Sequence, residues 1–185
     1  MLELGSGLGV AGLSCALLHP HLRLTLSDYD PAVLRCLAAN IEASGISDRV
    51  DATSVDFRDF GPPANAHGNG DAAVPAALAP YAARGLLGSF DCILASDVVY
   101  DAYHGQRLPW LCGALLRATP GARALLISPD SRPRLDELVA SAPAAGFSCR
   151  VERLRPSARL RQRLEEASDG WGADNAFSLY VLERA

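Results

Sequence analysis

The spacing of hydrophobic and polar residues predicts alternating strands and helices along most of the chain. Short apolar or alternating stretches, typical of strands, occur at residues 1–4, 22–27, 50–55, 90–95 and 124–128. Apolar residues recur every three or four positions, as in amphipathic helices, at residues 10–18, 33–41, 108–116 and 135–142. Strands that alternate with helices in this way indicate an α/β fold with a parallel sheet.

Two stretches depart from this alternation. Residues 147–154 and 176–182 both have strand patterns and are separated by a short predicted helix, so we expect them to pair antiparallel. Residues 61–88 are rich in proline, glycine and alanine, which predicts a flexible surface insertion with a short helix near residues 76–84. We therefore expect a single domain over residues 1–185 that carries one low-complexity insertion.

Alternating glycines separate the first strand from the first helix. Gly5, Gly7 and Gly9 allow a sharp turn and let a ligand approach the backbone, while the helix that follows directs its unpaired N–H groups at the same place. The spacing from Gly7 through Gly9 to Gly12 also satisfies the dinucleotide-binding pattern, although that match alone is weak. Glu3 would repel a phosphate and attract an ammonium group. A tight turn without any ligand is the alternative.

Acidic residues follow the second and third predicted strands. Asp30, followed by a proline, is typical of a helix N-cap, which leaves Asp28 at the strand end to accept the hydroxyls of a ribose. Asp56 and Phe57 would suit an adenine, through a hydrogen bond and an apolar wall. The alternatives are a second turn aspartate for Asp28, and a turn acid with a core phenylalanine for Asp56 and Phe57.

The fourth predicted strand ends in Ser96-Asp97-Val98-Val99-Tyr100. The carboxyl edge of an open α/β sheet is where ligands bind, so Asp97 and Tyr100 are candidates for contact with a substrate. An acid and a tyrosine that face a narrow channel can hold an amine and orient its lone pair. The alternatives are a helix N-cap for Asp97 and a core aromatic for Tyr100.

The composition narrows the classes of partner and location. The net charge of −4 gives no reason to expect nucleic acid as a partner, and no apolar run is long enough to span a bilayer, so we expect no membrane either. The cysteines are scattered and the histidines lack metal-ligand spacing, so we expect a reduced cytosolic or nuclear location and no metal site. The chain contains no lysine. Its arginines near residues 153–163 suggest a solvated basic face, with a docking surface for an acidic partner as the alternative.

These motifs together resemble methyltransferase family 16, a group of class I protein-lysine methyltransferases that use S-adenosylmethionine (AdoMet). The similarity lies in Leu2-Glu3-Leu4-Gly5-Ser6-Gly7-Leu8-Gly9, Ser27-Asp28 and Asp97-Val98-Val99-Tyr100. It implies a Rossmann-like, doubly wound, three-layer αβα fold whose seven strands follow the order 3-2-1-4-5-7-6, the last antiparallel. It also implies AdoMet as cofactor and lysine side chains of a protein substrate as acceptors.

The resemblance also assigns roles by position. Cofactor contacts fall to Glu3, Gly5, Ser6, Gly7, Gly9, Asp28, Asp56, Phe57 and Ser96, and the acceptor pocket to Asp97 and Tyr100. The family usually has tryptophan where Phe57 stands. It also has a segment before the first strand that helps to cover the cofactor, and we expect this cover to be lacking here.

Other functions on a related fold remain open from the sequence. A small-molecule N-methyltransferase of the nicotinamide type would need a lid over its acceptor. A catalytically silent AdoMet-fold binding module would bind the cofactor without transfer. An NAD-dependent oxidoreductase is disfavoured by Glu3 and by the antiparallel carboxyl-terminal strands.

Overall fold

The computed structural model describes residues 1–62, 75–101, 103–155, 157–158, 162–163, 166 and 176–185. The strands within these residues are β1 (Leu2–Leu4), β2 (Leu24–Asp28), β3 (Val50–Ser54), β4 (Cys92–Ser96), β5 (Arg123–Pro129), β6 (Phe147–Leu154) and β7 (Phe177–Arg184). The α-helices are α1 (Val10–Leu18), α2 (Pro31–Ala43), α3 (Ala79–Ala83), α4 (His104–Leu115) and α5 (Leu135–Ser141). The predicted strands and principal helices are thus all present, with small shifts at their ends.

The seven described strands form one sheet in the order β3-β2-β1-β4-β5-β7-β6. The first five strands in this order pair parallel, whereas β7 runs antiparallel to both β5 and β6. The predicted Rossmann-like fold, strand order and antiparallel strand are therefore confirmed. Because parallel strands end at the same edge, the loops after β1, β2, β3 and β4 meet there.

Helices cover both faces of the sheet, and the alternation of side chains along each strand decides what they contact. On one face, Leu24 and Leu26 of β2 pack with Leu37 and Ile41 of α2. On the other face, the core includes Leu2 and Leu4 of β1 and the buried leucines of α4. Successive strand residues point to opposite faces, so Glu3 points away from Leu2 and Leu4, towards α1.

The start of α2 follows the sequence prediction closely. The Asp30 carboxylate accepts hydrogen bonds from the backbone N–H groups of Ala32 (2.6 Å) and Val33 (3.3 Å), and Pro31 occupies the first helical position. Proline has no N–H to leave unpaired there, and the aspartate satisfies two N–H groups that the helix cannot. Asp30 is therefore the helix cap, which leaves Asp28 for another role.

The predicted insertion is only partly described, because residues 63–74 lie outside the described residues. Its later part contains the predicted short helix, as a 3₁₀ turn at Ala76–Leu78 followed by α3. Most residues of this part lie at the surface, but Tyr81 is 3% exposed and belongs to the main core, which the sequence did not indicate. An aromatic ring beside Phe60 buries apolar surface that the low-complexity composition concealed.

Two further predictions fall largely outside the described residues. One is the helix expected between β6 and β7. The other is the basic face expected near residues 155–163, most of which lies outside the described residues. Among the described residues, no helix is long and apolar enough to cross a membrane.

Close packing of α1 on the sheet generates a prediction for Gly12. A Cβ at Gly12 would lie 2.3 Å from Leu26 Cδ2 and 2.4 Å from Glu3 Oε2. We expect Gly12→Ala to lower the free energy of unfolding by about 1–3 kcal/mol, the usual cost of overpacking. Urea denaturation monitored by circular dichroism measures this change.

Gly113→Ala in α4 is the matched control. The added Cβ would lie 3.5 Å from Phe147 Cε2, an ordinary contact. This substitution should leave stability unchanged or raise it by up to about 1 kcal/mol, because alanine favours a helix. Equal destabilisation of both variants would contradict the packing argument.

Candidate functional site

A cavity lies at the carboxyl edge of the parallel strands, where the loops after β1 to β4 meet. Its lining residues are Gly5, Asp28, Tyr29, Val55, Asp56, Phe57, Asp97, Val98, Tyr100, Asp101, Tyr103 and His104. Its volume of about 120 Å³ is smaller than a typical small-molecule pocket of ~300–1,000 Å³. The described walls therefore enclose only part of a nucleoside-sized ligand, and the rest would lie in the open cleft.

The cavity brings together most of the predicted residues that follow strands. Gly5, Asp28, Asp56, Phe57, Asp97 and Tyr100 all line it, so the predicted nucleoside side and acceptor side share one space. Glu3, Ser6, Gly7, Gly9 and Ser96 are not among its lining residues. Ser96 is exposed at the end of β4, beside rather than within the cavity.

The three glycines of the turn have different reasons to be glycine. A Cβ at Gly5 would lie 2.8 Å from Val98 Cγ1, and one at Gly9 would lie 2.6 Å from Leu37 Cδ1. Packing within the protein therefore explains both. Gly7 has a φ of 55°, and a Cβ there would meet nothing within 4 Å. Gly7 is thus the glycine of this turn that borders open space, as a ligand cradle requires.

Ser6 ties the glycine turn to the end of β2. Its N–H donates to the carbonyl of Ser27 (2.7 Å), and its hydroxyl accepts from the Ser27 N–H (3.0 Å). The same hydroxyl also donates to the Glu3 carbonyl at 3.3 Å. The Ser6 hydroxyl is engaged within the protein, so its evident role is to shape the turn.

Asp28 joins the end of β2 to the glycine turn. Its Oδ2 accepts from the Gly7 N–H (3.2 Å), and its Oδ1 accepts from the Asp30 N–H (3.1 Å). The predicted alternative of a turn aspartate is therefore part of its role. Each carboxylate oxygen has a second lone pair, so both oxygens keep capacity for a ligand hydroxyl in the cavity.

Glu3 lies beneath α1 and is only 3% exposed. Burial raises the pKa of this carboxyl, and the nearby Ser6 hydroxyl and Gly12 N–H offset the rise only in part. Its Oε2 has no hydrogen-bond partner among the described residues. A direct contact of Glu3 with a cofactor therefore has no support from this geometry, because the carboxyl faces the helix rather than the cavity.

Asp56 and Phe57, the residues predicted to flank the adenine, contact Arg58 and His104 respectively. Asp56 caps the 3₁₀ turn at Phe57–Asp59 and accepts from the Arg58 N–H and guanidinium, both at 2.9 Å. The Arg58 hydrogen bond holds the pKa of Asp56 below its usual range. The Phe57 ring lies edge-on to His104 at 5.3 Å. Asp56 thus shares its carboxylate between the turn and the cavity.

Tyr81 and Arg84, which the sequence interpretation gave no role, support this turn from α3 and its end. The Tyr81 hydroxyl accepts from the Asp56 N–H at 3.1 Å and donates to Asp59 Oδ2 at 2.6 Å. Arg84 Nη1 donates to the Ser54 carbonyl at 2.9 Å. Burial raises the pKa of Tyr81 to about 12, so its hydroxyl stays protonated at neutral pH.

Asp97 and Tyr100 form the opposite wall. Asp97 has a φ of 55°, and its N–H donates to the Ile127 carbonyl at 2.8 Å, which turns the chain out of the sheet. Neither predicted alternative holds, because the N-cap of α4 is Tyr103 and because Tyr100 is 57% exposed. The Asp97 carboxylate forms a bidentate pair with Arg132, a residue that the sequence interpretation missed.

His104 is the second residue missed from the sequence. It is 5% exposed and lies within 5.3 Å, ring to ring, of Phe57, Tyr100 and Tyr103. Its Nδ1 accepts from the N–H groups of Tyr100 (3.5 Å) and Asp101 (3.3 Å), and burial lowers its pKa. His104 is therefore neutral at pH 7 and holds the loop that carries Tyr100. In the sequence, only its position four residues after Tyr100 could have suggested that His104 belongs to the site.

In the described part of the chain, no group of three or more histidine, cysteine or acidic side chains could hold a metal ion. The site is therefore built from backbone amides, carboxylates, tyrosines and one neutral histidine.

Comparisons with known proteins agree with this fold and its amino-terminal motifs. A family model described as lysine methyltransferase matches residues 1–67, which carry the glycine turn, Asp28 and Asp56. The resemblance to methyltransferase family 16 is confirmed over this segment. No curated protein sequence matches the chain.

Solved structures of low identity share the fold over the whole chain. Geranyl diphosphate C-methyltransferase from Streptomyces coelicolor A3(2), solved with S-adenosyl-L-homocysteine, is 13% identical (TM-score 0.63), over 100% of this chain and 70% of that one. The [4+2]-cyclase SpnF is 16% identical (TM-score 0.63), over 99% of this chain and 74% of its own. The AdoMet-dependent methyltransferase SibL is 19% identical (TM-score 0.60), over 99% of this chain but only 49% of its own.

The class of protein follows from these findings together. The fold is that of the class I AdoMet-dependent methyltransferases, and the family match supports methyltransferase activity. The acceptor does not follow from the fold, because the structural neighbours include a cyclase as well as a C-methyltransferase.

The open space at Gly7 generates a prediction about cofactor binding. We expect Gly7→Ala to weaken binding of AdoMet, the predicted cofactor, at least about tenfold, or ~1.4 kcal/mol, because the added methyl group would occupy the ligand's space. Isothermal titration calorimetry measures the change.

Gly45→Ala is the matched control for this variant. Gly45 has a φ of 67°, and a Cβ there would also meet nothing within 4 Å. Both variants should lose about 1–2 kcal/mol of stability through backbone strain, but only Gly7→Ala should lose affinity. Unchanged AdoMet affinity in Gly7→Ala would place the cofactor elsewhere.

The neighbouring acids Asp28 and Asp30 generate a paired prediction. Asp28→Ala should weaken AdoMet binding by about 1.5–3 kcal/mol, the scale of hydrogen bonds to a charged group. Asp30→Ala should cost about 1 kcal/mol of stability through the lost cap and leave affinity unchanged. Calorimetry and urea denaturation of both variants measure this, and exchanged phenotypes would reverse the two assignments.

Proposed function

We propose that this chain is an AdoMet-dependent N-methyltransferase that acts on lysine side chains of a protein substrate. The observation that carries the proposal is the shared cavity, which joins Asp28 beside the glycine turn to Asp97 and Tyr100 on the opposite wall. The family match over residues 1–67 supports the same chemistry. A nucleoside cofactor and a second reactant could therefore meet in one space at the edge of the sheet.

The residues present fit AdoMet. Gly7 borders open space, and Asp28 lies beside it with free lone pairs that can accept the ribose hydroxyls. Phe57 lines the cavity as an apolar wall for the adenine, and Asp56 lies next to it. When bound, AdoMet supplies a methyl group that its sulfonium already activates.

The charge of the cavity also favours this cofactor. Asp28, Asp56, Asp97 and Asp101 line it, and the described lining residues include neither arginine nor lysine. AdoMet carries a positive sulfonium and an ammonium group, whereas the pyrophosphate of a dinucleotide is negative. Arg58 and Arg132 share the charge of Asp56 and Asp97, but neither arginine lines the cavity, so its walls suit the cationic AdoMet better than the negative pyrophosphate of NAD.

The acceptor side suits a side chain that reaches in from another protein. Tyr29 is 54% exposed and Tyr100 is 57% exposed, although both line the cavity. The cavity is therefore open to solvent beside Tyr29 on the Asp28 side and beside Tyr100 on the Asp97 side, and a slender aliphatic amine could pass this entrance. The protein needs mainly to hold the acceptor nitrogen in line with the methyl group, because orientation supplies a large part of the barrier reduction.

A small-molecule acceptor is the second candidate function. One structural neighbour is a geranyl diphosphate C-methyltransferase, which favours a small acceptor for the fold in general. The exposed entrance of this chain favours a protein acceptor, since a small acceptor gains little binding energy without enclosing walls. A silent binding module remains the outcome if the cofactor binds without transfer.

Incubation with methyl-labelled AdoMet and a lysate of the source cells tests the proposal. We expect label in a protein band and, after digestion, methylated lysine by mass spectrometry. The chain itself contains no lysine, so methylated lysine cannot arise from modification of the enzyme's own side chains. Label confined to a metabolite would support the small-molecule function, and bound AdoMet without transfer would support a binding module.

Asp97→Asn tests the acceptor wall within the same assay. Asparagine adopts a positive φ as readily as aspartate, so the backbone at Asp97 should be kept. Turnover should fall at least about tenfold while AdoMet affinity changes less than about twofold, because only positioning of the acceptor is lost.

Asp91→Asn is the matched control for this substitution. Asp91 also pairs with an arginine, Arg117, at 2.8 Å, but it precedes β4 at the opposite edge of the sheet. Turnover should be unchanged in this variant. An equal loss in both variants would point to a general structural effect.

A further inference from the structure

The carboxylate that faces the proposed acceptor is already bound by an arginine. Arg132 Nε donates to Asp97 Oδ1 at 2.6 Å, and Arg132 Nη2 donates to Asp97 Oδ2 at 2.5 Å. Asp97 lines the cavity whereas Arg132 is not among its lining residues, so the guanidinium pairs with the carboxylate without forming part of the cavity wall. A bidentate pair of this kind fixes the position of the carboxylate and places a positive charge beside it.

The loop that carries Arg132 is itself held in place. The Arg132 N–H donates to the Pro129 carbonyl at 3.0 Å. Next to it, the Asp130 N–H donates to the Ala176 carbonyl at 2.8 Å, and the Ser178 hydroxyl donates to Asp130 Oδ1 at 2.7 Å. These bonds tie the loop to β5 and to the start of β7, so Arg132 approaches Asp97 from a supported position.

The pairing changes what Asp97 can attract. An isolated carboxylate would draw a lysine ammonium into the pocket and stabilise its protonated form. A carboxylate already neutralised by Arg132 has much less attraction for a second cation. A protonated amine has no lone pair for a methyl group, so a pocket that favours ammonium would bind the unreactive form of the acceptor.

We propose that Arg132 determines acceptor specificity, because it pairs with Asp97 and thereby selects the uncharged amine over the ammonium ion. This inference rests on the proposed function, since it takes Asp97 to face the acceptor. Arg132 acts through Asp97 and is a positioning residue. The other titratable groups that line the cavity are Asp28, Asp56, Asp101, His104, Tyr29, Tyr100 and Tyr103.

Binding of n-butylammonium, which mimics the end of a lysine side chain, tests the inference without any turnover. NMR titration at pH 7 compares wild type with Arg132→Gln, each with and without S-adenosylhomocysteine. We expect Arg132→Gln to bind the cation at least about threefold more tightly, a change within the range of a partly exposed ion pair. Binding of n-butanol, which is uncharged and has a similar shape, should not change.

Two variants control for structural effects. Arg134→Gln removes another ion pair of the same loop, with Glu137 at 2.8 Å, and should leave n-butylammonium binding at the wild-type level. Arg132→Lys keeps the charge with fewer hydrogen bonds and should remain close to wild type, even if Arg132→Gln proves too unstable to measure. Unchanged or weaker cation binding in Arg132→Gln, tighter binding in Arg132→Lys, or no detectable binding in any variant overturns the inference.

Kinetics with the acceptor identified in the labelling experiment add a second readout. In Arg132→Gln both KM and kcat should fall at pH 8, because ammonium binds better but does not react, and kcat should recover as the pH rises. Lysine methylation with no change in n-butylammonium binding would reject this inference and keep the proposed function. Tighter binding of n-butylammonium in Arg132→Gln without any methyl transfer would support the effect of Arg132 on cation binding and reject the proposed function.

Discussion

The hydrogen bonds between the glycine turn and the end of β2 are the interaction on which the site depends. The Ser27 hydroxyl donates to the Glu3 carbonyl at 2.7 Å, and the Ser6 N–H donates to the Ser27 carbonyl at 2.7 Å. The Gly7 N–H reaches Asp28 at 3.2 Å. These bonds fix the first turn relative to the second strand, and with it the start of α1 and one wall of the cavity. The side chains there are positioned for a ligand by the backbone that these hydrogen bonds hold in place.

The acids of the cavity serve the protein and the proposed ligands at once. Asp28 binds two backbone amides, Asp56 caps a turn and pairs with Arg58, and Asp97 pairs with Arg132. Carboxylates grouped in one cavity repel each other unless such partners share their charge. The same partners orient each carboxylate and leave only some of its lone pairs for a ligand. The site is thus preorganised by internal hydrogen bonds.

The local parts of the fold and site were predictable because local physics decides them. The glycine turn, the Asp30 cap and the strand patterns depend on neighbours in sequence, and all occur where the spacing indicates. Glu3 could not be placed in this way. Its orientation depends on which face of β1 meets α1, and the structure puts its carboxyl against Gly12. Tyr81 was equally hidden, because a low-complexity stretch shows no periodicity to mark a core residue.

By itself the sequence determined the alternation of strands and helices and the edge at which ligand-binding loops gather, since parallel strands present their carboxyl ends together. Only the tertiary structure decided which side chains face each other across that edge. Asp97 and Arg132 are 35 residues apart, and His104 at the start of α4 meets Phe57 of the 3₁₀ turn after β3. Contacts of this range arise from packing and charge between elements, so no local pattern records them.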